Sequence, residues 1–419
     1  MTHSPTQLLF RRHGLARLII VAASSFALAA ADLRAQAPAA VVQVDAAGAT
    51  CAAVHDQLGI LVIGQKGAGE HHLSVYQLDP SGHLSSSAPA KLRLPRPDSL
   101  GSFANYPLSL VFHPSLPLLY VWQDLVPPKA GTPEEKTVYD AFEHLLIAGV
   151  TDRALRPVGR LAVGEQFGFG QTVATIAVDP AGERLFMPNL HDLSVDTHGR
   201  AALGYFDLDE QGMPRPVSVP IEGSLDGYGL NKFELQMRPA TLLVGSYQAL
   251  PAGWGFFSTS KHVVAFGWSH GVAVWDTENR RAELSAVTLL GMAGRSHPGQ
   301  VYHAPQCWIG GDPRLPVLYG VGYRNSNVFS IQQVDGYPTF LPQITTVAGA
   351  RFSSGPLVMT GKSPRIAIGG ENCVHLLALD ADGRFTGEAE AIQVANPSVL
   401  AIAHSEKHDR LYVAVEKAP

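Results

Sequence analysis

The chain has 419 residues, 46% of them hydrophobic and only 16% charged, with 41 Gly and 30 Pro. Gly and Pro together make about 17% of the chain, above the ~12% of average usage but far below disordered or collagen-like sequences, and this composition excludes long helical bundles and coiled coils. A formal net charge of −5 argues against a nucleic-acid binder, which needs a clustered basic footprint.

The first 37 residues read as an export segment. Arg11, Arg12 and Arg17 form a basic start, Leu18 to Ala31 is apolar, and two small-residue patterns follow, Ala27-Leu28-Ala29 and Ala35-Gln36-Ala37. Basic, apolar, then small is the order of a secretory signal. At 1.5 Å per residue the apolar stretch spans about 21 Å, short of the ~30 Å hydrocarbon core, so a retained anchor is the less favoured alternative. Arg11-Arg12 also admits a twin-arginine route, although Gly14 stands where a bulky apolar residue is usual. The cleavage position stays open, because Pro38 follows the second pattern. Removing residues 1–37 takes away four Arg and one Asp and leaves a charge of −8. A soluble, monomeric, periplasmic or secreted domain over 38–419 is expected, with no stable membrane insertion. Of Cys51, Cys307 and Cys373, one pair could bridge in an oxidising compartment.

Beyond Pro38 the chain repeats a pattern. A short apolar strand leads through a polar turn to a second strand of the Leu-Tyr-Val type, and a third strand then ends near Asp. After an unpaired Val41-Val-Gln-Val44, the copies begin with Cys51-Ala-Ala-Val54, Ile60-Leu-Val-Ile63 and Leu73-Ser-Val-Tyr-Gln-Leu78. They continue with Leu110 to Trp122, Ile176 to Leu208, Phe256 to Asp276, Cys307 to Gln332, Leu357 to Leu379 and Leu400 to Val415. Short runs rich in Val, Ile and aromatics, bounded by Gly, Pro and Asp, predict strands. Seven copies at a spacing near the ~40–50 residues of a propeller blade predict an all-β, seven-bladed β-propeller of four-stranded blades. The last copy lacks a third strand, so the strand at Val41–Val44 is expected to pair with it and close the ring. A sandwich of regularly spaced hairpins is the alternative. Three segments exceed the repeat, at 124–144, 189–200 and 223–255, the last with an expected extra hairpin around Leu235 and Leu242. Trp122, Trp268, Trp275 and Trp308 are expected to pack between blades.

The repeats resemble those of the lactonase-like, YVTN-type propellers, the superfamily that includes 6-phosphogluconolactonases and carboxymuconate-lactonising enzymes. The resemblance is carried by His113-Pro114 with Leu119-Tyr120-Val121, by Asp179-Pro180 with Leu185 to Asn189, and by Leu411-Tyr412-Val413. It implies a blade architecture over most of the chain. Enzymes of that group have a His-rich strand before the Asp-Pro turn of a central blade. Here that stretch is Phe167-Gly-Phe-Gly-Gln-Thr172, so no catalytic residue carries over by position.

In a propeller the turns after the second strands gather on one face around the channel. Those positions hold Gln65-Lys66, Gln123-Asp124, His191-Asp192, Ser269-His270, Arg324-Asn325 and Glu371-Asn372. Converging polar groups at a funnel mouth make this the candidate ligand site, with His191, Asp192, His270, Arg324, Asn325 and Glu371 as its binding residues. The leading functional expectation is a binding or protein-interaction module of the cell envelope, its partner an unknown small molecule or protein at the mouth. The alternative is a lactonase-like hydrolase acting on a small ring ester. There Arg324 would stabilise the oxyanion, and Glu371 or His191 would activate water. No nucleophile elbow, phosphate loop or dinucleotide fingerprint is present, and no cofactor or metal is expected. His404 and His408 bracket a turn rather than share a helix face, so an i, i+4 metal pair does not form.

Overall fold

The computed structural model describes residues 40–67, 71–85, 88–94, 104–126, 138, 142–151, 154–162, 171–172, 176–191, 200–215, 231–236, 254–256, 262–268, 271–276, 281–285, 307–312, 314–315, 317–322, 326–334, 337–338, 343–350, 352–360, 364–394 and 399–416. The expected export segment lies outside the described residues, as does most of each long loop. One compact unit spans Ala40–Pro419.

Strand β1 (Ala40–Asp45) precedes a sheet made of β2 (Ala49–His55), β3 (Ile60–Lys66), β4 (His71–Gln77) and β5 (Ala90–Arg93). The second sheet holds β6 (Ala104–Phe112), β7 (Leu118–Val126), β8 (Leu145–Thr151) and β9 (Ala154–Leu161). In the third, the first strand is split into β10 (Gln171–Thr172) and β11 (Ala177–Val178), followed by β12 (Arg184–His191), β13 (Arg200–Asp207) and β14 (Asn231–Gln236). The fourth comprises β15 (Trp254–Phe256), β16 (His262–Trp268), β17 (Gly271–Asp276) and β18 (Arg281–Ser285). Next come β19 (Cys307–Gly311), β20 (Val317–Gly322) and β21 (Asn327–Val334), with β22 (Tyr337–Pro338) and β23 (Gln343–Thr346) both pairing β21. The sixth sheet runs β24 (Phe352–Met359), β25 (Arg365–Gly370), β26 (Cys373–Leu379), β27 (Phe385–Gln393). Last, β28 (Val399–Ser405) pairs β29 (Arg410–Val415), and β29 pairs β1.

Six of these sheets carry a fourth strand beyond the three legible in each repeat. Those fourth strands are polar: Ala-Lys-Leu-Arg in β5 and Phe-Thr-Gly-Glu-Ala-Glu-Ala-Ile-Gln in β27, both alternating between half-buried and exposed or largely exposed. The hairpin expected near Leu235 is such a strand, since β14 pairs β13 from Tyr205↔Asn231 to Arg200↔Gln236.

The second strands are apolar without alternation because both of their faces are covered. In β3, Ile60 and Val62 pack with Leu119 and Val121 of the second sheet, whereas Leu61 and Ile63 pack with Ala403, Tyr412 and Ala414 of the last. In β7, Tyr120 and Trp122 turn the other way, onto Leu185, Met187 and Phe206 of the third sheet. Side chains of a strand alternate between faces, so a run such as Leu118-Leu-Tyr-Val-Trp122 feeds two cores at once. A further core joins the fifth and sixth sheets through Tyr319, Val321, Ile366 and Ile368. The hydrophobic core thus lies between consecutive sheets. First strands also touch in sequence: β28 with β2, β2 with β6, β15 with β19, β19 with β24 and β24 with β28.

One polar device recurs across these seams. The Tyr120 hydroxyl donates to Gly212 O at 2.5 Å, that of Tyr319 to Gly383 O at 2.6 Å, and that of Tyr412 to Gly82 O at 2.6 Å. Each tyrosine sits on a second strand, and each glycine in the turn after the third strand of the next sheet. These turns are of the Asp-x-x-Gly type. Asp209 Oδ1 accepts from the backbone N–H of Gln211 at 2.9 Å and Met213 at 2.8 Å, and Asp380 does the same for Asp382 and Arg384. The glycine then adopts φ of +80° at Gly82, +74° at Gly212 and +77° at Gly383, a region that L side chains rarely enter.

A related turn, Asp179–Gly182, joins β11 to β12 and accepts the ring of His113, whose Nε2 lies 3.0 Å from Gly182 O. Asp79 and Asp179 accept similar bonds but titrate in opposite directions. The Ser81 hydroxyl and the His83 and Ser81 N–H groups hold Asp79 down at about 2. Burial pushes Asp179 above the ordinary carboxylate range despite its two N–H donors. The Asp79 contribution to stability is therefore present above the ordinary carboxylate value and is lost as pH falls toward 2. The Asp179 charge opposes folding at neutral pH, a penalty relieved as acid protonates it. Carboxyl-carbon NMR titration is expected to show the Asp179 midpoint above that of Asp79.

The pairing of β1 with β29 is parallel, in register from Ala40↔Arg410 to Asp45↔Val415, whereas the other sheet ladders are antiparallel. The direction has a simple origin. In each antiparallel meander the fourth strand runs the same way as the second, and here the third is missing from between them. The turn that follows supports this: Ala46 to Ala49 is closed by Ala49 N–H donating to Ala46 O at 3.1 Å, as Ala350 N–H donates to Val347 O at 3.1 Å after the fourth strand β23. β1 is thus a fourth strand leading into the next sheet.

Candidate functional site

Of the second strands, several end at or shortly before the expected site positions. β3 ends at Lys66, β12 at His191, β16 just before Ser269-His270, β20 just before Arg324-Asn325, and β25 just before Glu371-Asn372. β7 runs on to Val126, so Gln123 and Asp124 are strand residues and not part of a turn. Asp192, His270, Arg324 and Asn325 lie outside the described residues, as does the side chain of His191. Glu371 is exposed in the bend before β26, and Asn372 turns the chain with φ of +61°.

The first two corners are fully defined. Gln65 is buried: its Nε2 donates to Ala47 O at 3.0 Å and its Oε1 accepts from Ser74 Oγ at 2.5 Å. Gln123, at the matching position, is buried as well. Its Oε1 accepts from Asn105 Nδ2 at 3.0 Å. Its carbonyl lies 2.9 Å from His144 Nδ1, and a carbonyl only accepts, so Nδ1 carries the proton. The His144 ring stacks on Trp122 at 5.2 Å. These two glutamines are therefore buttresses, each using its amide to satisfy buried backbone and side-chain groups.

The groups that do reach the surface sit one residue further on. The Lys66 ammonium lies over the Tyr106 ring, 4.7 Å from its centre, and the Tyr106 hydroxyl donates to Asp124 Oδ2 at 3.2 Å. Burial first, and the Asp124 charge second, raise the Tyr106 phenol, so it stays protonated and serves as a donor. The Thr50 hydroxyl donates to Pro107 O, binding β2 to β6 beneath this cluster. A cation, a phenol and a carboxylate from two neighbouring sheets are thus held in one line. Sequence spacing placed Lys66 and Asp124 at the corner but missed Tyr106, whose position on the first strand gave no signal of its own.

Cys51 stands opposite Gly64, beside Gln65, and Cys373 directly follows Asn372. Cys51 and Cys373 are free thiols, so the bridge that was open on the sequence does not join them. Burial pushes the Cys51 thiol up to about 12. Cys373 Sγ lies 3.2 Å from His375 Nε2, and burial raises the thiol and lowers the imidazole. That pair is neutral, unlike the thiolate–imidazolium form of a nucleophile. Among the described residues no three His, Cys, Asp or Glu side chains converge as a metal site would require.

No family model matches the chain. No curated protein matches it either. Among solved structures, 1052 chains match it in fold. One, from a structure described as "Crystal Structure of Mitotic Checkpoint Complex", superposes with a TM-score of 0.52 at 13% identity over 91% of each chain. At that identity the likeness concerns fold alone, and a fold so widely shared leaves function to the site. Together with the all-β, largely four-stranded antiparallel sheets, it shows a WD40-like β-propeller fold.

Proposed function

We propose that the chain is an exported, seven-bladed propeller, its ring closed by β1, that binds a partner at the mouth where the second strands end. Support for the ring comes from the seams. The last sheet meets the first through a shared apolar cluster and through the Tyr412–Gly82 bond, the same device that joins the second sheet to the third and the fifth to the sixth. A two-layer sandwich would leave one face of each middle strand open, whereas β3 and β7 are covered on both. Export is supported by the signal pattern in residues 1–37 and by a compact unit that starts just beyond it, at Ala40.

The observation that carries the binding reading is the Lys66–Tyr106–Asp124 line. It is fixed by neighbours before any ligand arrives, and such preorganisation favours recognition. A protein-interaction role is also consistent with the neighbouring fold, whose representative sits in a complex. The test is a pair of assays. Immobilised protein is expected to retain an envelope component that the Lys66→Ala/Asp124→Ala variant releases, with no turnover of a lactone panel. Lactone hydrolysis that disappears in Arg324→Ala and Glu371→Ala would replace the binding module by a hydrolase.

A further inference from the structure

The fourth strands differ in how their outer edges are guarded. β5 and β23 are four residues long, and β9 carries Pro157 between Arg156 and Arg160. Short edges, charged side chains (lysine above all), proline and bulges are the usual means of keeping a strand from pairing with another chain. β27 has neither a basic side chain nor proline; its charges are Glu388 and Glu390, and beyond one bulge between Leu377 and Leu379 it pairs β26 without interruption from Ala389 to Gln393. It runs nine residues, Phe385–Gln393, largely exposed, and no other described strand pairs its outer edge.

Beside that edge lies a cleft of about 380 Å³ between the fifth and sixth sheets, lined by Val347, His375, Leu377, Phe385, Ala389 and Ala391, with Glu388 and Glu390 also bordering it. Ala389 stands opposite Leu377 and Ala391 opposite His375, so these four share one face of the sheet, and Glu388 and Glu390 alternate to the other. The two alanines are what leave the cleft open. Gly387, at φ of +90°, faces open space as well, since a Cβ there would meet nothing within 4 Å.

From this arrangement we propose that the edge of β27 takes up an extended segment of a partner protein as an added strand, with side chains that alternate between apolar and basic. Backbone pairing along β27 supplies the affinity, as in other cases of strand addition. Apolar side chains of the incoming strand lie over Ala389 and Ala391 toward Phe385 and Leu377. Basic ones fall on the side of Glu388 and Glu390. The same two acids decide against a second copy of this chain, because edge-to-edge pairing of two β27 strands would place like charges against one another. This site is separate from the mouth, and its test does not depend on what the mouth binds.

The probe is a fluorescein-labelled peptide of four Lys-Val repeats, titrated with the full chain and read by anisotropy. It is compared with a Glu-Val counterpart and with a Lys-Val peptide N-methylated at every residue, which keeps its charge but has no backbone N–H left to donate from either edge. Saturable binding of the Lys-Val peptide is expected. It should be at least tenfold weaker for the N-methylated peptide, for the Glu-Val peptide, and for the Glu388→Lys/Glu390→Lys variant with an unchanged melting temperature. Ala391→Trp, which fills the cleft, should weaken it as well. Equal binding of the N-methylated peptide would mean charge attraction without strand addition, and unchanged binding by the variants would place the peptide elsewhere. Either result, or no binding, overturns the proposal.

Discussion

Replacing Gly82 with Ala will lower the melting temperature by several degrees, and much more than the same change at Gly349. Both glycines have positive φ, +80° and +75°, so each substitution costs about 1–2 kcal/mol of left-handed strain. They differ in surroundings. A Cβ on Gly349 meets nothing within 4 Å, whereas one on Gly82 would lie 2.6 Å from His408 Cβ and 2.8 Å from Arg410 Cδ. Both neighbours belong to the last sheet. The turn must therefore move off that sheet, weakening the Tyr412–Gly82 bond, a loss of about 1–3 kcal/mol for a buried acceptor left unsatisfied. The sum is about 2–5 kcal/mol, or ~3–6 °C for a domain of this size at ~2.1 cal/mol/K per residue. Gly383→Ala, whose Cβ would lie 2.6 Å from the Tyr319 hydroxyl, should match it. A mild Gly82→Ala beside a severe Gly383→Ala would mean that the first and last sheets are not locked together.

Removing residues 1–47 will abolish cooperative folding, while removing residues 1–39 will leave the melting transition in place. The longer truncation deletes β1 and its turn. It uncovers the β29 edge, whose six residues pair with β1, and takes Val44 and Ala46, 3% and 1% exposed, from the core. Burial of Val44 alone contributes about 1.5–3 kcal/mol. It also strips Gln65 Nε2 of Ala47 O and Ala49 N–H of Ala46 O, adding about 1–3 kcal/mol for buried groups left unmade. Together these losses, roughly 5 kcal/mol, compare with the whole stability of a typical domain, ~5–15 kcal/mol. Circular dichroism melts of the two truncations check this directly.

Much of the architecture was legible because the second strands advertise themselves. Ile60 to Ile63, Leu118 to Trp122 and Leu411 to Val415 are apolar throughout, the mark of strands covered on both faces. Four strands per blade are expected, but the sequence does not locate the fourth strands, because they lie at the outer edge, where Lys91, Arg93, Glu388 and Glu390 are exposed and no apolar run is needed. Pairing of Val41–Val44 with the last copy was foreseen, but its direction was not, since that follows from the missing third strand. Both halves of the tyrosine device stand in the sequence, in Leu119-Tyr120-Val121 and in Asp209-Glu-Gln-Gly212. Their union joins different sheets, and one-dimensional spacing is silent on that. At the expected site, spacing reads Gln65 and Gln123 as turn residues, but the strands continue through them and bury them.

The central claim is that the first strand closes the propeller against the last sheet. Its most direct test is an intrachain cross-link between Asp45→Cys and Glu416→Cys, both positions exposed and next to one another across the seam, where Asp45 pairs Val415. Cys51, Cys307 and Cys373 are replaced by Ser, and a short bis-maleimide is applied at low protein concentration. A closed ring predicts near-complete intrachain linkage of the two peptides by mass spectrometry. Reagent bound singly at each cysteine, or linkage only between chains, would contradict closure.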